Sequence, residues 1–257
     1  MKLILANMTE RKSKSKKVPI KCVIFDIYDT LYDGAALLKR PSQFQPELNV
    51  LREAGYSFNS KQYEEAWNHL SKDWNKLRFK QRMSFISYHL QRYLGIKKPS
   101  WILARKMHLA YDYAFKDFGA EKSLSPNARK VLKWLAKRKY YLGIASDSNS
   151  LYGKKWLREI KLDKHFHHIS ISCEVGYEKT SPKPFELFLK KMRQKHKVKL
   201  LPEECLLVDD SQTACKNAQS IGMKVALYDP FRRKKVRISP DYHIHNLLQI
   251  RRILENK

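Results

Sequence analysis

The chain has 257 residues, 43% of them hydrophobic, enough for a packed core in one large domain or in a domain carrying an insertion. No run approaches the ~18 apolar residues of a membrane span, which excludes a helical membrane protein and leaves no membrane partner. Lys and Arg number 52 against 25 acidic residues, a net charge of +27 that attracts polyanions at low salt and allows non-specific nucleic-acid binding.

Residues 1–19 are polar and rich in Lys and Ser, the composition of a flexible basic tail. The opening six residues are too short for a signal-peptide apolar region, and Met8 is an alternative start. The run Val23-Ile24-Phe25 is apolar and β-branched, reads as a buried strand, and ends in Asp26, followed by Ile27-Tyr28-Asp29-Thr30. An ordinary Asp-containing turn after a strand is the plain alternative. From 33 to 124 no second strand is legible. Helical periods run instead over 63–77, 85–94 and 101–118, with Trp67, Trp74, Tyr88, Trp101 and Tyr111 expected at the seams of a helical bundle.

After Ser125-Pro126, read as an N-cap followed by Pro at the first helical position, helix and strand alternate. Helices are predicted over 127–137, 151–160, 185–195, 213–221 and 247–254, with strands over 140–145, 168–172, 205–208, 225–228 and 242–244. That alternation means an α/β fold, a doubly wound parallel sheet, with the helical block 33–124 inserted as a cap and the core formed by 20–32 and 125–257.

In such a sheet the strand ends converge on one edge, where ligands bind. Four of them carry polar groups: Asp26, Ser146, the loop holding Lys179, and Asp209-Asp210. A carboxylate nucleophile, a hydroxyl, an ammonium and an acidic pair able to hold Mg2+ are the parts that phosphoryl transfer needs.

At this point the chain resembles the haloacid dehalogenase superfamily, from about residue 21 to the C-terminus. Asp26 matches the family nucleophile, and Ser146 in Ile144-Ala145-Ser146-Asp147-Ser148 matches its phosphate-binding Ser/Thr. The run from Glu174-Val175-Gly176 to Pro184-Phe185 resembles the family's lysine loop, which makes Lys179 the catalytic lysine and leaves Lys183 as the competing candidate. Val208-Asp209-Asp210-Ser211 is similar to the acidic metal motif of the β-phosphoglucomutase-like members. The resemblance implies a Mg2+ held by Asp26, Asp209, Asp210 and the backbone carbonyl of Tyr28, and a small phosphorylated substrate attacked by Asp26.

The first motif departs from the pattern. Phosphatases of this superfamily usually carry a second Asp two residues after the nucleophile to protonate the leaving oxygen. Tyr28 stands there, and Asp29 and Thr30 follow, with Asp29 as a candidate substitute acid. Losing a positioned acid costs ~10² to 10⁴ in rate for an alkoxide leaving group. Tyr at this position resembles the metal-independent 2-haloacid dehalogenases, but Asp209-Asp210 does not, and Asn68 follows Trp67 where that branch uses an Arg. A non-catalytic basic binding protein on the same fold is the third reading, motivated by the missing acid and the +27 charge.

Cys22, Cys173, Cys205 and Cys215 show no metal-ligand spacing and are expected as reduced thiols of a cytoplasmic protein. His165, His167 and His168 are read as solvated loop residues, and His243 and His245 as residues of an edge strand.

Overall fold

Cys22–Phe25 form β1, four apolar residues buried on both faces, as a central parallel strand requires. The computed structural model of the chain describes residues 18–33, 44–73, 82–117, 123–148, 152–232 and 235–255. Most of the expected tail at 1–19 and the side chains of Trp74 and Tyr111 therefore lie outside the described residues.

Among the described residues five further strands follow: β2 (Tyr141–Ser146), β3 (His168–Ile171), β4 (Cys205–Asp209), β5 (Lys224–Tyr228) and β6 (Tyr242–Ile244). All pairings are parallel, in the order β3-β2-β1-β4-β5-β6. The chain builds outward from β1 in one direction, then returns to β4 on the other side. The gap between β1 and β4 is thus the point where strand order reverses, and ligand crevices form at such points.

Alternate residues of β1 face opposite sides. Val23 and Phe25 pack with α5 (Ala128–Lys137), α6 (Tyr152–Glu159) and α10 (Gln249–Glu255). Cys22 and Ile24 pack with α8 (Lys183–His196) and α9 (Gln212–Gln219). The helices bury stripes at helical spacing: Val131, Leu132 and Leu135 on α5, and Phe185, Phe188, Leu189 and Met192 on α8. Ser211 Oγ accepts from Ala214 N at 3.3 Å and caps α9, and Gly222, at φ +91°, ends its last turn.

Between β1 and β2 lie α1 (Gln45–Glu53), α2 (Ser60–Asp73), α3 (Arg82–Arg92) and α4 (Trp101–Asp117). They share a separate core that includes Leu48, Leu51, Tyr63, Ile86, Leu90, Leu103 and Met107. His89 is buried there against Tyr63 and Trp67, and burial pushes its pKa down to about 4, so it is neutral. Helix α1 escapes the sequence reading, although Pro46 in its first turn and Leu48 and Leu51 on its buried face are the usual signals. Trp101 is no seam residue: it is 64% exposed and carries the Arg105 guanidinium over its ring.

Two other expectations change. Helix α5 starts at Ala128 after a turn in which Asn127 adopts φ 66°, so Ser125-Pro126 belongs to the turn and is not an N-cap with its first helical residue. The histidines at 165–168 are half-buried rather than fully solvated: His167 Nδ1 accepts from Leu142 N at 3.1 Å, and burial pushes His168 down to about 4. None of the four cysteines is in a disulfide, and Cys22, Cys205 and Cys215 are buried. No helix among the described residues is long and apolar enough to cross a membrane.

Gly143 in β2 lets α8 sit tight on the sheet. A Cβ there would lie 2.1 Å from Cζ of Phe188. Gly143→Ala is therefore expected to destabilise the protein by about 1–3 kcal/mol through overpacking, with Phe188→Leu in the same chain recovering part of it. Urea unfolding of both variants checks this, and an unchanged midpoint for Gly143→Ala would refute the close contact.

Candidate active site

Asp26 is the first residue past β1, and its own N–H still bonds Val208 O at 3.0 Å, so the sheet ladder holds its backbone in register with β4. Asp209 ends β4 beside it. Lys179 reaches between them from the loop after α7 (Ser172–Val175), a single helical turn that the sequence reading does not contain. Its Nζ donates to Asp26 Oδ1 at 2.8 Å and to Asp209 Oδ2 at 2.6 Å, and all three side chains are buried. Residues 153 and 30 positions apart in sequence thus share one proton-rich nitrogen.

The loop is held at both ends of Lys179. Its backbone N–H donates to both carboxylate oxygens of Asp147, at 3.0 and 3.1 Å, and its carbonyl accepts from Asn217 Nδ2 at 2.8 Å. Upstream, Ser148 and Ser172 exchange bonds, with Ser148 N donating to Ser172 Oγ at 2.9 Å and Ser172 Oγ to Ser148 O at 3.0 Å. The second oxygen of Asp209 accepts from Ser211 N at 2.8 Å, which fixes that carboxylate at the start of α9.

Burial shapes the charges. By itself it would lower the Lys179 pKa, but Asp209, Asp26 and Asp147 outweigh it and raise the ammonium above the ordinary lysine range. Burial raises Asp26 against the opposing Lys179 charge, and nearby Asp210 adds to the rise. Asp209 is pushed up to about 7 by burial, with Asp26 and Asp210 adding to it and Lys179 opposing. Burial also takes Asp147 to about 6, again against Lys179. Carboxylates so crowded call for more positive charge than one lysine brings. Oxygens of Asp26, Asp209 and Asp210 lie within 4.8 Å of one another, an all-oxygen set that suits a hard divalent cation.

The other candidates fall at different distances from this group. Ser146 Oγ is buried beside Asp26 and helps hold its charge, in a geometry looser than an ordinary hydrogen bond. Tyr28 is half-buried with its ring edge-on to Tyr32, centroids 5.8 Å apart. Asp29 is exposed at φ 57° and is not among the gathered carboxylates. Thr30 is buried, with an Oγ1 that meets no hydrogen-bond partner among the described residues. Lys183 lies outside the group: it starts α8 on the surface and pairs with Glu186 at 3.2 Å. Asp147 and Asn217 are positioning residues that sequence reasoning passes over. Asp147 follows Ser146 at a strand end, which is the signal that could have found it, whereas Asn217 sits mid-helix and carries none.

Because the folded pKa of Asp209 lies above its ordinary 3.8, ionising it costs the folded state more than the unfolded one. Its contribution to stability therefore falls as pH rises from about 4 to about 7. In EDTA, the thermal midpoint of the wild type should fall relative to Asp209→Asn across that window, and a gap independent of pH would contradict it.

Comparison with known proteins shows the family and the fold. Residues 20–222 match the family model of the haloacid dehalogenase-like hydrolases. The chain is 29% identical over 249 residues to a glyceraldehyde 3-phosphate phosphatase of Pyrococcus furiosus, covering 93% of this chain and 94% of that protein. It is 32% identical over 181 residues to the protein of the same name from Methanothermobacter thermautotrophicus, covering 67% and 72%. Among solved structures, the HAD-hydrolase YfnB of Bacillus subtilis superposes with a TM-score of 0.68 at 19% identity, covering 92% of this chain and 99% of that one. A HAD phosphatase of Thermococcus onnurineus gives 0.66 at 22%, covering 91% and 98%.

Proposed function

Since the chain belongs to the haloacid dehalogenase-like hydrolases, we propose that it is a Mg2+-dependent phosphatase acting on a small phosphorylated substrate through an aspartyl-phosphate on Asp26. The observation that carries this reading is the Lys179 ammonium held 2.8 Å from Asp26 and 2.6 Å from Asp209 at the crevice between β1 and β4. The phosphatase relatives, named for glyceraldehyde 3-phosphate, place phosphorylated trioses first in the substrate panel.

In this mechanism Lys179 holds one oxygen of Asp26 and leaves the other to attack phosphorus. A bond forms between that oxygen and phosphorus while the bond to the ester oxygen breaks. Lys179 and the Ser146 hydroxyl stabilise the charge on the phosphoryl oxygens. Water then cleaves the acyl phosphate, releasing phosphate and restoring Asp26. Asp26, Asp209, Asp210 and the Tyr28 carbonyl would hold Mg2+, which when bound supplies charge neutralisation for these oxygens and carboxylates. Asp147 and Asn217 keep the lysine in place. The helical block within 33–124 serves as the cap, and residues 20–32 with 125–257 as the catalytic core.

A panel of phosphate esters with and without Mg2+, run beside Asp26→Asn, tests this. Phosphate release is expected with Mg2+ for the wild type, falling by several orders of magnitude in EDTA or in Asp26→Asn. EDTA-resistant activity on 2-chloropropionate would instead favour the dehalogenase reading that Tyr28 suggests.

Tyr28 sets a second expectation. With no carboxylic acid two residues after the nucleophile, the leaving oxygen departs poorly protonated. Rates should fall steeply with leaving-group pKa, acyl and aryl phosphates outrunning alkyl ones. Tyr28→Asp should raise turnover of alkyl phosphates by about 100-fold and flatten that dependence. Equal rates for aryl and alkyl esters in the wild type would refute it.

A further inference from the structure

Two groups of metal-ligating side chains come together among the described residues, and the second is at the far edge of the sheet, away from the Asp26 crevice. Asp229 follows β5, His243 lies on β6, the edge strand, and His245 is the first residue past its end. Parallel pairing sets His243 opposite Leu227 and Ile244 opposite Tyr228, and Asp229 N continues the ladder by donating to Ile244 O at 2.9 Å. The two imidazoles stand together at this end of the edge strand, ring centroids 4.6 Å apart.

Asp229 is buried beside them. Its Oδ2 lies 3.7 Å from His243 Nε2. Its backbone carbonyl lies 2.7 Å from His245 Nδ1. A carbonyl only accepts, so that contact puts the His245 proton on Nδ1 and leaves the lone pair of the neutral ring on Nε2. Metal-binding histidines are oriented by this kind of bond from their other nitrogen. One nitrogen of each ring and one carboxylate oxygen lie within 4.8 Å of one another.

We propose that Asp229, His243 and His245 form a binding site for a borderline divalent transition ion of the Zn2+ class, distinct from the Mg2+-type carboxylate group. Two imidazoles and one carboxylate favour such an ion, whereas Mg2+ prefers oxygen alone. Ligands on a tetrahedral ion with bonds of about 2.0–2.1 Å sit about 3.4 Å apart. The 3.7 Å pair already approaches that, and the exposed His243 ring is the member that has room to close the set. The ion would clip the edge strand to the chain on both sides of the connection 230–242. Arg232, Lys235 and Arg237 in that connection repel a cation, and the buried Asp229 charge offsets part of it. Affinity should therefore be lower than that of a closed structural zinc centre.

The test uses the full chain, stripped with chelator and saturated with Mg2+ to fill the carboxylate group, then titrated with Zn2+ by calorimetry and with Co2+ by visible absorption. One equivalent of Zn2+ should bind, Co2+ should give the strong bands of imidazole-bound tetrahedral cobalt, and the thermal midpoint should rise by about 5 °C at a hundredfold excess over Kd. His243→Gln and His245→Gln should each weaken binding at least tenfold. His243→Gln, an exposed site, should keep the wild-type circular dichroism, and Asp210→Asn should keep the Zn2+ equivalent. No Zn2+ equivalent in the wild type, binding that survives in both histidine variants, or binding lost in Asp210→Asn would each overturn the proposal.

Discussion

A single ammonium, Lys179 Nζ, bridges two buried carboxylates that β1 and β4 deliver to the same edge of the sheet, and most of the site is arranged around keeping it there. Taken singly, a buried Asp26 or Asp209 would be protonated; taken together without a cation, they would repel each other. Removing one member of such a buried set costs about 3–5 kcal/mol, because the remaining charge is stranded. The interaction is therefore a constraint on stability and on chemistry at once. It also explains why the loop carrying Lys179 is tied down by Asp147 and Asn217 through its backbone, so that the side chain enters at a fixed angle.

The site is rich in negative charge on a chain whose surface is strongly positive. Asp26, Asp209 and Asp210 gather within a space that one lysine does not neutralise, which is why burial and mutual repulsion push Asp26 and Asp209 upward. A divalent cation and an anionic guest satisfy both halves of that arrangement. The surface charge acts differently, drawing small anions in over distances of about a Debye length, ~8–10 Å at physiological salt. The two effects are separable, since salt screens the second and leaves the buried group largely untouched.

Tyr28 sits in the first motif, directly after the strand that delivers Asp26. The ring of Tyr28 packs edge-on to Tyr32, which in turn stacks edge-on against buried Trp156, so the position is filled by an aromatic relay that links the first motif to α6. The helices α1–α4 keep a core of their own, and the exposed Trp101–Arg105 pair shows that not every aromatic in them faces inward.

The sequence alone determined the α/β alternation, most element positions and the placing of Asp26, Asp209 and Asp210 at strand ends, because each rests on local signals: period, strand-end chemistry and motif spacing. It also named both His243 and His245 as edge-strand residues. Only the tertiary structure decided which lysine enters the carboxylate group, since Lys179 and Lys183 differ by one turn of loop and the choice depends on where Asp147 and Asn217 anchor the backbone. It likewise decided that Asp29 stays outside, because a left-handed backbone at that residue turns it to solvent, and that Asp229 meets the two histidines. These outcomes hang on contacts between segments far apart in the chain. Local propensity is blind to them, because the energy that selects them exists only once the sheet has assembled.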